Sequence, residues 1–350
     1  MRLRALSRSR SLRILVVLAV AAGVGALVWW RGPDWGAVGD AFTIVRWQWV
    51  VAAIVLNLVS VLVRAVAWSI VINQAMSPPH PRFRLVFSAF SVGLFANAVL
   101  PGRVGELARV AVLRRRMAGR KGTTATLVGS VFAHRMFDLF PAVTLVIWVL
   151  IAAKIPHWAV TSIGVFFAVG VTLFLSAVVL ARRQRWDSED YGRVRRLLLR
   201  GREGLAIMRS PVAAGTAASF QFGGWICQLL AVWSAMEAFD IHLPISAAGL
   251  VLVLMNVATI FPLWPGNFGL VQIAVALPLV SYHVAYAHGV AFGVGLQAIE
   301  ASVGVGVGLI FLAREGLSYA TLRDIEQPGD NGDADEPSEE RPPARAGIAG

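Results

Sequence analysis

The sequence predicts an all-α fold, a polytopic helical bundle integral to a membrane, and three observations carry that prediction. The 350 residues are 57% hydrophobic and 15% charged, whereas soluble domains average about 25% charged. The apolar residues fall in long blocks, such as Ile14 to Trp30 and Ala159 to Ala181. A bilayer core of about 30 Å needs about 20 such residues in a helix. Arginines cluster between the blocks and not within them. We therefore expect about six full spans plus two re-entrant hairpins related as inverted repeats.

In chain order, 1–12 is a basic cytoplasmic N-terminus, and 13–30 is the first span. Its apolar run ends in Trp29-Trp30-Arg31 without a small-residue cleavage site, so a retained signal anchor is expected. Further full spans are expected at 48–72, 123–153, 159–181, 212–238 and 284–313. Two apolar blocks, 85–113 and 246–281, are each broken by Pro-Gly. Proline removes a helix donor and glycine admits positive φ, so each block splits into halves of about 12–16 residues, too short to cross alone. They read as kinked spans or as re-entrant hairpins.

Charge decides between those readings, because Lys and Arg in short loops mark the cytoplasmic side. Arg2, Arg4, Arg8, Arg10 and Arg13 place the N-terminus inside. The nine arginines of the 182–210 loop, and Arg114, Arg115, Arg116, Arg120 and Lys121, belong inside too. A single crossing by 85–113 would put the triple-arginine run outside. A hairpin turning at Pro101-Gly102 keeps it inside, and the remaining crossings then fit. Span 48–72, hairpin 85–113 and span 123–153 form one unit. Span 212–238, hairpin 246–281 and span 284–313 form a second of opposite orientation. Paired interrupted helices in inverted halves point to a transporter-type site near the midplane. The whole domain is expected over 13–315, with repeat one at 48–153 and repeat two at 212–313. Both termini are expected in the cytoplasm of a plasma-membrane protein.

The formal net charge is +12, yet eight of the twenty acidic residues follow Leu322. That Pro- and Gly-rich tail, 316–350, reads as disordered. Arginines flanking apolar spans suit anionic lipid and not nucleic acid. The 182–210 loop suits a helix lying on anionic lipid. Cys227 is the single cysteine, so neither a disulfide within the chain nor a cysteine metal site is expected. There is no Walker loop, no His-Glu-x-x-His and no nucleophile elbow in the sequence. No cofactor, metal or catalytic set is expected, and the chain reads as a transporter-type protein and not an enzyme.

Ionisable residues inside spans are the candidates for a site, since a charge at the bilayer centre costs about 2.5–3.5 kcal/mol or more. The hairpin tips match: Pro101-Gly102-Arg103-Val104-Gly105 and Pro265-Gly266-Asn267-Phe268-Gly269. Asn97 and Asn256 precede them at different spacing. Glu106 can pair with Arg103 or Arg109, each three residues away, which leaves one arginine for an anionic group such as phosphate. Arg135 and Asp138 are also three apart, an ion pair closing the bundle or a pair facing the hairpin. Arg64 sits deep in its span and would counter Asp138 or Glu106, or bind phosphate. Glu237 reads as interfacial. Glu300, mid-span, has to face a polar cavity or stay neutral. Gly289, Gly293, Gly304 and Gly308 stand at small-xxx-small spacing, which permits close helix contact.

On these residues the chain resembles the transmembrane-region family of lysylphosphatidylglycerol synthases, a flippase-like membrane family. The likeness spans roughly 12–315. It rests on Arg64 with Trp68, Asn97-x-x-Leu100-Pro101-Gly102-Arg103-x-Gly105-Glu106-x-x-Arg109, Asp138 and Pro265-Gly266-x-x-Gly269. It implies a lipid flippase or scramblase acting on an anionic or phosphate-bearing lipid. The family usually has glutamate where this chain has Gln272, and an arginine in the last span where this chain has Glu300. No aminoacyl-transferase domain is expected here, so synthase activity is not carried over. The other readings are a lipid-binding or enzyme-recruiting partner protein and, with less support, a membrane glycosyltransferase. The protein partner, a second copy or a lipid-synthesising enzyme, is left open.

Overall fold

The computed structural model describes residues 33–100, 104–117, 123–154, 161, 210–260 and 267–315. Outside them lie span 13–30, all of span 159–181 but Thr161, residues 182–209 of the basic loop, and the tail. So do Pro101, Gly102, Arg103, Pro265 and Gly266 of the hairpin motifs.

Nine helices, and no strand, occur among the described residues. They are α1 (Trp35–Thr43), α2 (Trp47–Ala75), α3 (Phe83–Val99), α4 (Gly105–Arg116) and α5 (Thr123–Ala152). They continue as α6 (Pro211–Ala238), α7 (Ile245–Ala258), α8 (Leu270–Val280) and α9 (Tyr286–Glu315). Local chemistry starts several of them. Asp34 Oδ1 accepts from the backbone N–H of Gly36 (2.9 Å) and Ala37 (3.2 Å) to cap α1. Ser210 accepts from Ala213 N–H, and Pro211 opens α6. α4 carries Glu106 in its first turn and Arg114–Arg116 in its last, matching its dipole at both ends.

Helices α2, α5 and α9 are long and apolar enough to cross a membrane. They correspond to the expected spans 48–72, 123–153 and 284–313. At 28 residues α6 is as long, but Gln221 and Gln228 lie within it. The Pro-Gly blocks yield the short helices α3, α4, α7 and α8, of 17, 12, 14 and 11 residues, all but the charged α4 apolar. At 1.5 Å per residue the longest is about 26 Å, below the bilayer core. The chain is thus an all-helical membrane protein.

The most extensive helix–helix contact joins α2 to α6. Arg46 N–H donates to the Ala238 carbonyl (2.9 Å) at one end, and Trp49 stacks edge-on against Trp233. Further along, Ser60 Oγ donates to the Gly224 carbonyl (2.7 Å). The partners' numbers rise on one helix as they fall on the other, so the two run antiparallel. Around this pair the helix pairs in contact remain the same when α2–α5 are exchanged for α6–α9, though the extent of each contact differs. The contact of α3 with α9 has its counterpart in α5 with α7, and that of α2 with α9 in α6 with α5. The numbering follows the same rule: Trp47 and Pro211 open α2 and α6 164 positions apart, as Gly105 and Gly269 stand at the two tips. Ser60 touches its own counterpart, Gly224, where the two halves meet.

Three of the four spaced glycines of α9 make the close contact expected of them, and Gly304, with Leu94 O at 4.0 Å from an added Cβ, does not. Any side-chain carbon on Gly289 or Gly293 would press on Ala276 or Gln272 of α8, and one on Gly308 would press on Ser91 and Phe95 of α3. The same surface therefore seats one helix of each hairpin. Buried apolar clusters lie on both sides of the α2–α6 pair, one centred on Trp68, Phe90 and Leu113, the other on Phe239, Met236 and Phe292.

Candidate functional site

A cavity of roughly 440 Å³ opens between the two halves. It is bounded by the middles of α2 and α9, the C-terminal ends of α3 and α7, and single residues of α5, α6 and α8. For a chamber among apolar helices its wall is unusually polar. Six carboxamides (Asn57, Asn97, Gln228, Asn256, Asn267 and Gln297) line it, with the hydroxyls of Ser60 and Thr259 and the charges of Arg64, Arg135 and Glu300.

Arg64 projects from the middle of α2. Its guanidinium lies 5.0 Å from the centre of the Trp225 ring, and its Nε and Nη2 have no hydrogen-bond partner. The residue opposite is Gly224, where even one side-chain carbon would meet Arg64 Cγ at 2.7 Å. That glycine therefore admits the arginine into the α2–α6 seam. Glu300 faces the same cavity from α9, as Gln228 does from α6.

Arg135 links three helices. Its Nε donates to Glu106 Oε1 of α4 (2.9 Å), its Nη2 donates to the same oxygen, and its Nη1 donates to Asp138 Oδ2 (3.1 Å). Asp138 in turn accepts from Gln221 Nε2 and from Trp225 Nε1 (3.1 Å) on α6. One cation thus ties the first hairpin to α5, and through Asp138 to α6. Of the pairings open to Glu106, the one with Arg109 is not made by hydrogen bond. The Arg135–Asp138 pair exists, and it also faces the hairpin.

Arg109 goes elsewhere. It is buried, 4% exposed, with its guanidinium 4.8 Å from the Trp68 ring centre and 5.7 Å from that of Phe90. Desolvated cation–π contacts of this kind contribute about 2 kcal/mol. Trp68 is fixed by its Nε1 donating to Ser130 Oγ (3.3 Å), and buried His134 meets Phe90 edge-on. Arg109 is not among the described residues lining the cavity, so a phosphate role for it has no geometric support.

Both hairpin tips use an amide to hold the glycine that starts the returning helix. Asn97 Oδ1 accepts from Gly105 N–H (2.8 Å), and Gln272 Oε1 accepts from Gly269 N–H (2.5 Å). Gln272 also donates to Gln297 Oε1 (2.5 Å), which brings the second hairpin onto α9. Asn267 donates to the Ala258 carbonyl (2.9 Å) across its hairpin. Among the sequence candidates, Arg64, Asn97, Arg135, Asn267 and Glu300 line the cavity directly. Glu106 and Asp138 reach it through Arg135, while Gly105, Gly269 and Gln272 shape the tips. Asn57, Gln228, Thr259 and Gln297 were not singled out from sequence. Their signal was legible: Asn57, Ser60 and Arg64 stand at i, i+3 and i+7, as do Gln297, Glu300 and Gly304, one polar stripe on each helix.

Helices long and apolar enough to cross a membrane, packed around a polar, charge-bearing cavity, mark a polytopic membrane protein. The family model for the lysylphosphatidylglycerol synthase TM region matches residues 14–308, and the chain belongs to that family. No curated protein and no solved structure matches it.

Proposed function

We propose that this chain is a lipid flippase or scramblase and not an enzyme, moving a lipid with a phosphate-bearing head group between leaflets. The observation that carries the reading is Arg64, a cation facing a polar cavity at mid-helix with two guanidinium nitrogens unpartnered. A charge at that depth in an apolar bundle is costly unless an anion or water meets it. In this reading the short helix pairs α3–α4 and α7–α8 are re-entrant hairpins, and α2–α5 and α6–α9 are inverted repeats. The exchange-symmetric packing and the antiparallel α2–α6 pair support both. Six full spans, a plasma-membrane location and cytoplasmic termini complete it.

The phosphate is held by Arg64 and by Arg103 at the first tip, with acyl chains remaining in the bilayer. It also competes with Glu106 for Arg135. Loosening that pair frees α4 from α5, and rocking of the two halves then opens the cavity to the other side.

The test is reconstitution of the full chain into liposomes containing head-group-labelled lipids, with a membrane-impermeant quencher added outside. Quenching beyond the outer-leaflet half is expected, slowed by Arg64→Gln, Arg103→Ala and Glu106→Gln at matched insertion. Quenching that stops at half for every anionic and zwitterionic lipid would overturn the reading.

A further inference from the structure

The described charges in and beside the cavity balance, and a lipid phosphate, entering as proposed above, unbalances them. The cations are Arg64, Arg109 and Arg135, and the carboxylates are Glu106, Asp138 and Glu300. Glu106 and Asp138 are both held by Arg135. Glu300 stands near the middle of α9 and lines the cavity, yet it makes no ion pair among the described residues. On these grounds, and on the reading that the cavity takes a lipid phosphate, we infer that each phosphate enters with a proton. Glu300 takes up that proton, so that lipid movement is coupled to proton movement.

The surroundings of Glu300 leave it as the group that changes charge. Among the helices packed on α9, α2 presents Arg64 to the cavity, while α3 and α6 present the neutral Asn97 and Gln228. Gln228 stands 164 positions after Arg64, so the second half sets an amide where the first sets its cation. The helix α8 carries no titratable residue. Asp40 of α1, Arg84 of α3 and Glu237 of α6 lie within a turn of a helix end. From α5, Arg135 lines the cavity but already holds two carboxylates, and neither His134 of α5 nor Cys227 of α6 lines it. With a phosphate present, Arg64 therefore faces two anions. Arginine does not give up its proton, and a phosphate diester keeps its charge, which leaves the carboxyl. A proton on Glu300 removes the repulsion and restores the balance of charge that a site deep in a bilayer needs. By linkage, proton and phosphate then strengthen each other's binding by the same factor. Two like charges about 10 Å apart, at an effective dielectric of about 20, make that factor about tenfold.

The decisive experiment is calorimetric titration of the full-length chain in neutral detergent with dioctanoyl phosphatidylglycerol and dioctanoyl phosphatidylinositol. Each titration is run across pH and in two buffers of different ionisation enthalpy, which counts the protons taken up. Deacylated glycerophosphoglycerol is titrated in parallel, and all three probes are phosphodiesters of fixed charge. Lipid affinity should fall about tenfold between about pH 5 and about pH 9, with about half a proton taken up per lipid where the fall is steepest. Glu300→Gln, which has the shape and charge of the protonated side chain, should bind as the parent does at low pH, at every pH and without proton uptake. Because that variant gains affinity at high pH, misfolding cannot imitate it. Arg64→Gln should weaken binding throughout. In liposomes, an acidic exterior should draw head-group-labelled lipid into the inner leaflet beyond an even distribution, and Glu300→Gln should lose that asymmetry. Lipid binding without proton uptake, uptake that persists in Glu300→Gln, or an even distribution under the gradient while exchange proceeds would overturn the coupling and leave lipid translocation standing. Arg64-dependent binding of glycerophosphoglycerol with proton uptake, but of neither lipid, would overturn the lipid reading and keep the coupling of proton to phosphate. Binding by none of the three would overturn both.

Discussion

The two hairpins share a backbone plan and differ in what they present. In both, the described helices on either side of a Pro-Gly-x-x-Gly motif pack against each other, and an amide oxygen accepts from the second glycine's N–H. In the first, that amide is Asn97 of the incoming helix, while in the second it is Gln272 of the returning one. The first hairpin then carries Glu106 and Arg109 where the second has Leu270 and Ile273, each 164 positions on. Both pack a helix against the glycines of α9, but the first is joined to the bundle by ions as well and the second by the neutral Gln272–Gln297 hydrogen bond. Apolar packing between helices persists whatever occupies the cavity, whereas an ion pair can be exchanged for an anionic ligand. On the function proposed above, ligand sensitivity is therefore expected of the first hairpin and not of the second.

The sharpest way to break that comparison is at the two tip glycines. In the first hairpin Gly105 is needed for space: any Cβ would overlap the Gly93 carbonyl and the Asn97 side chain. In the second, Gly269 has open space around it but φ of +91°, which L-residues rarely adopt. Gly105→Ala should cost about 3 kcal/mol, through separation of α3 from α4. Gly269→Ala should cost about 1–3 kcal/mol through backbone strain. The mechanisms separate on side-chain size, because Gly269 has open space around it and Gly105 has none. Thermal melting should rank Gly269→Asn level with Gly269→Ala, but Gly105→Asn below Gly105→Ala. The same ranking at both positions would mean that the two tips are built alike.

Arg135 tests the ionic joint. Replacing it by Gln leaves Glu106 and Asp138 without their cation, at a cost of about 2 kcal/mol. This is below the 3–5 kcal/mol of a fully buried pair because the Arg135 side chain is 48% exposed. Adding Glu106→Gln should return part of that loss, since the unpaired carboxylate goes with it. A double-mutant cycle read by melting checks this, and purely additive losses would show that the joint holds nothing.

Helical class, the short broken blocks and the close seats on α9 were legible in the sequence, because length, Pro-Gly and glycine spacing act locally. The site was legible only in part. Local spacing offered Glu106 the neighbours Arg103 and Arg109. Yet Arg135 reached Glu106 from α5, and Trp68 and Phe90 took Arg109 from α2 and α3. Such choices depend on which helices become neighbours, which no spacing within one helix encodes. The amide wall was visible as polar stripes, but isolated Asn and Gln in apolar helices attract less notice than charges. It is the convergence of α2, α7 and α9 that makes them one surface.

The smallest expected effect sharpens the contrast in how the tips are locked. Gln272→Leu removes the acceptor for Gly269 N–H and the donor to Gln297 at once. Gln272 is 4% exposed, so water does not readily replace either bond. Each is worth about 0.5–1.5 kcal/mol net, but leucine also fills apolar space against Gly293 of α9, where the Gln272 backbone already sits close. The sum should be a loss of about 1 kcal/mol. Asn97→Leu removes only one bond, yet it sets a branched apolar side chain against Gly105, where the Asn97 side chain already sits close, and puts a leucine into the polar cavity wall. It should therefore cost more than Gln272→Leu although it breaks fewer hydrogen bonds. If melting shows the reverse order, hydrogen bonding and not space governs both tips, and the first hairpin is held as the second is.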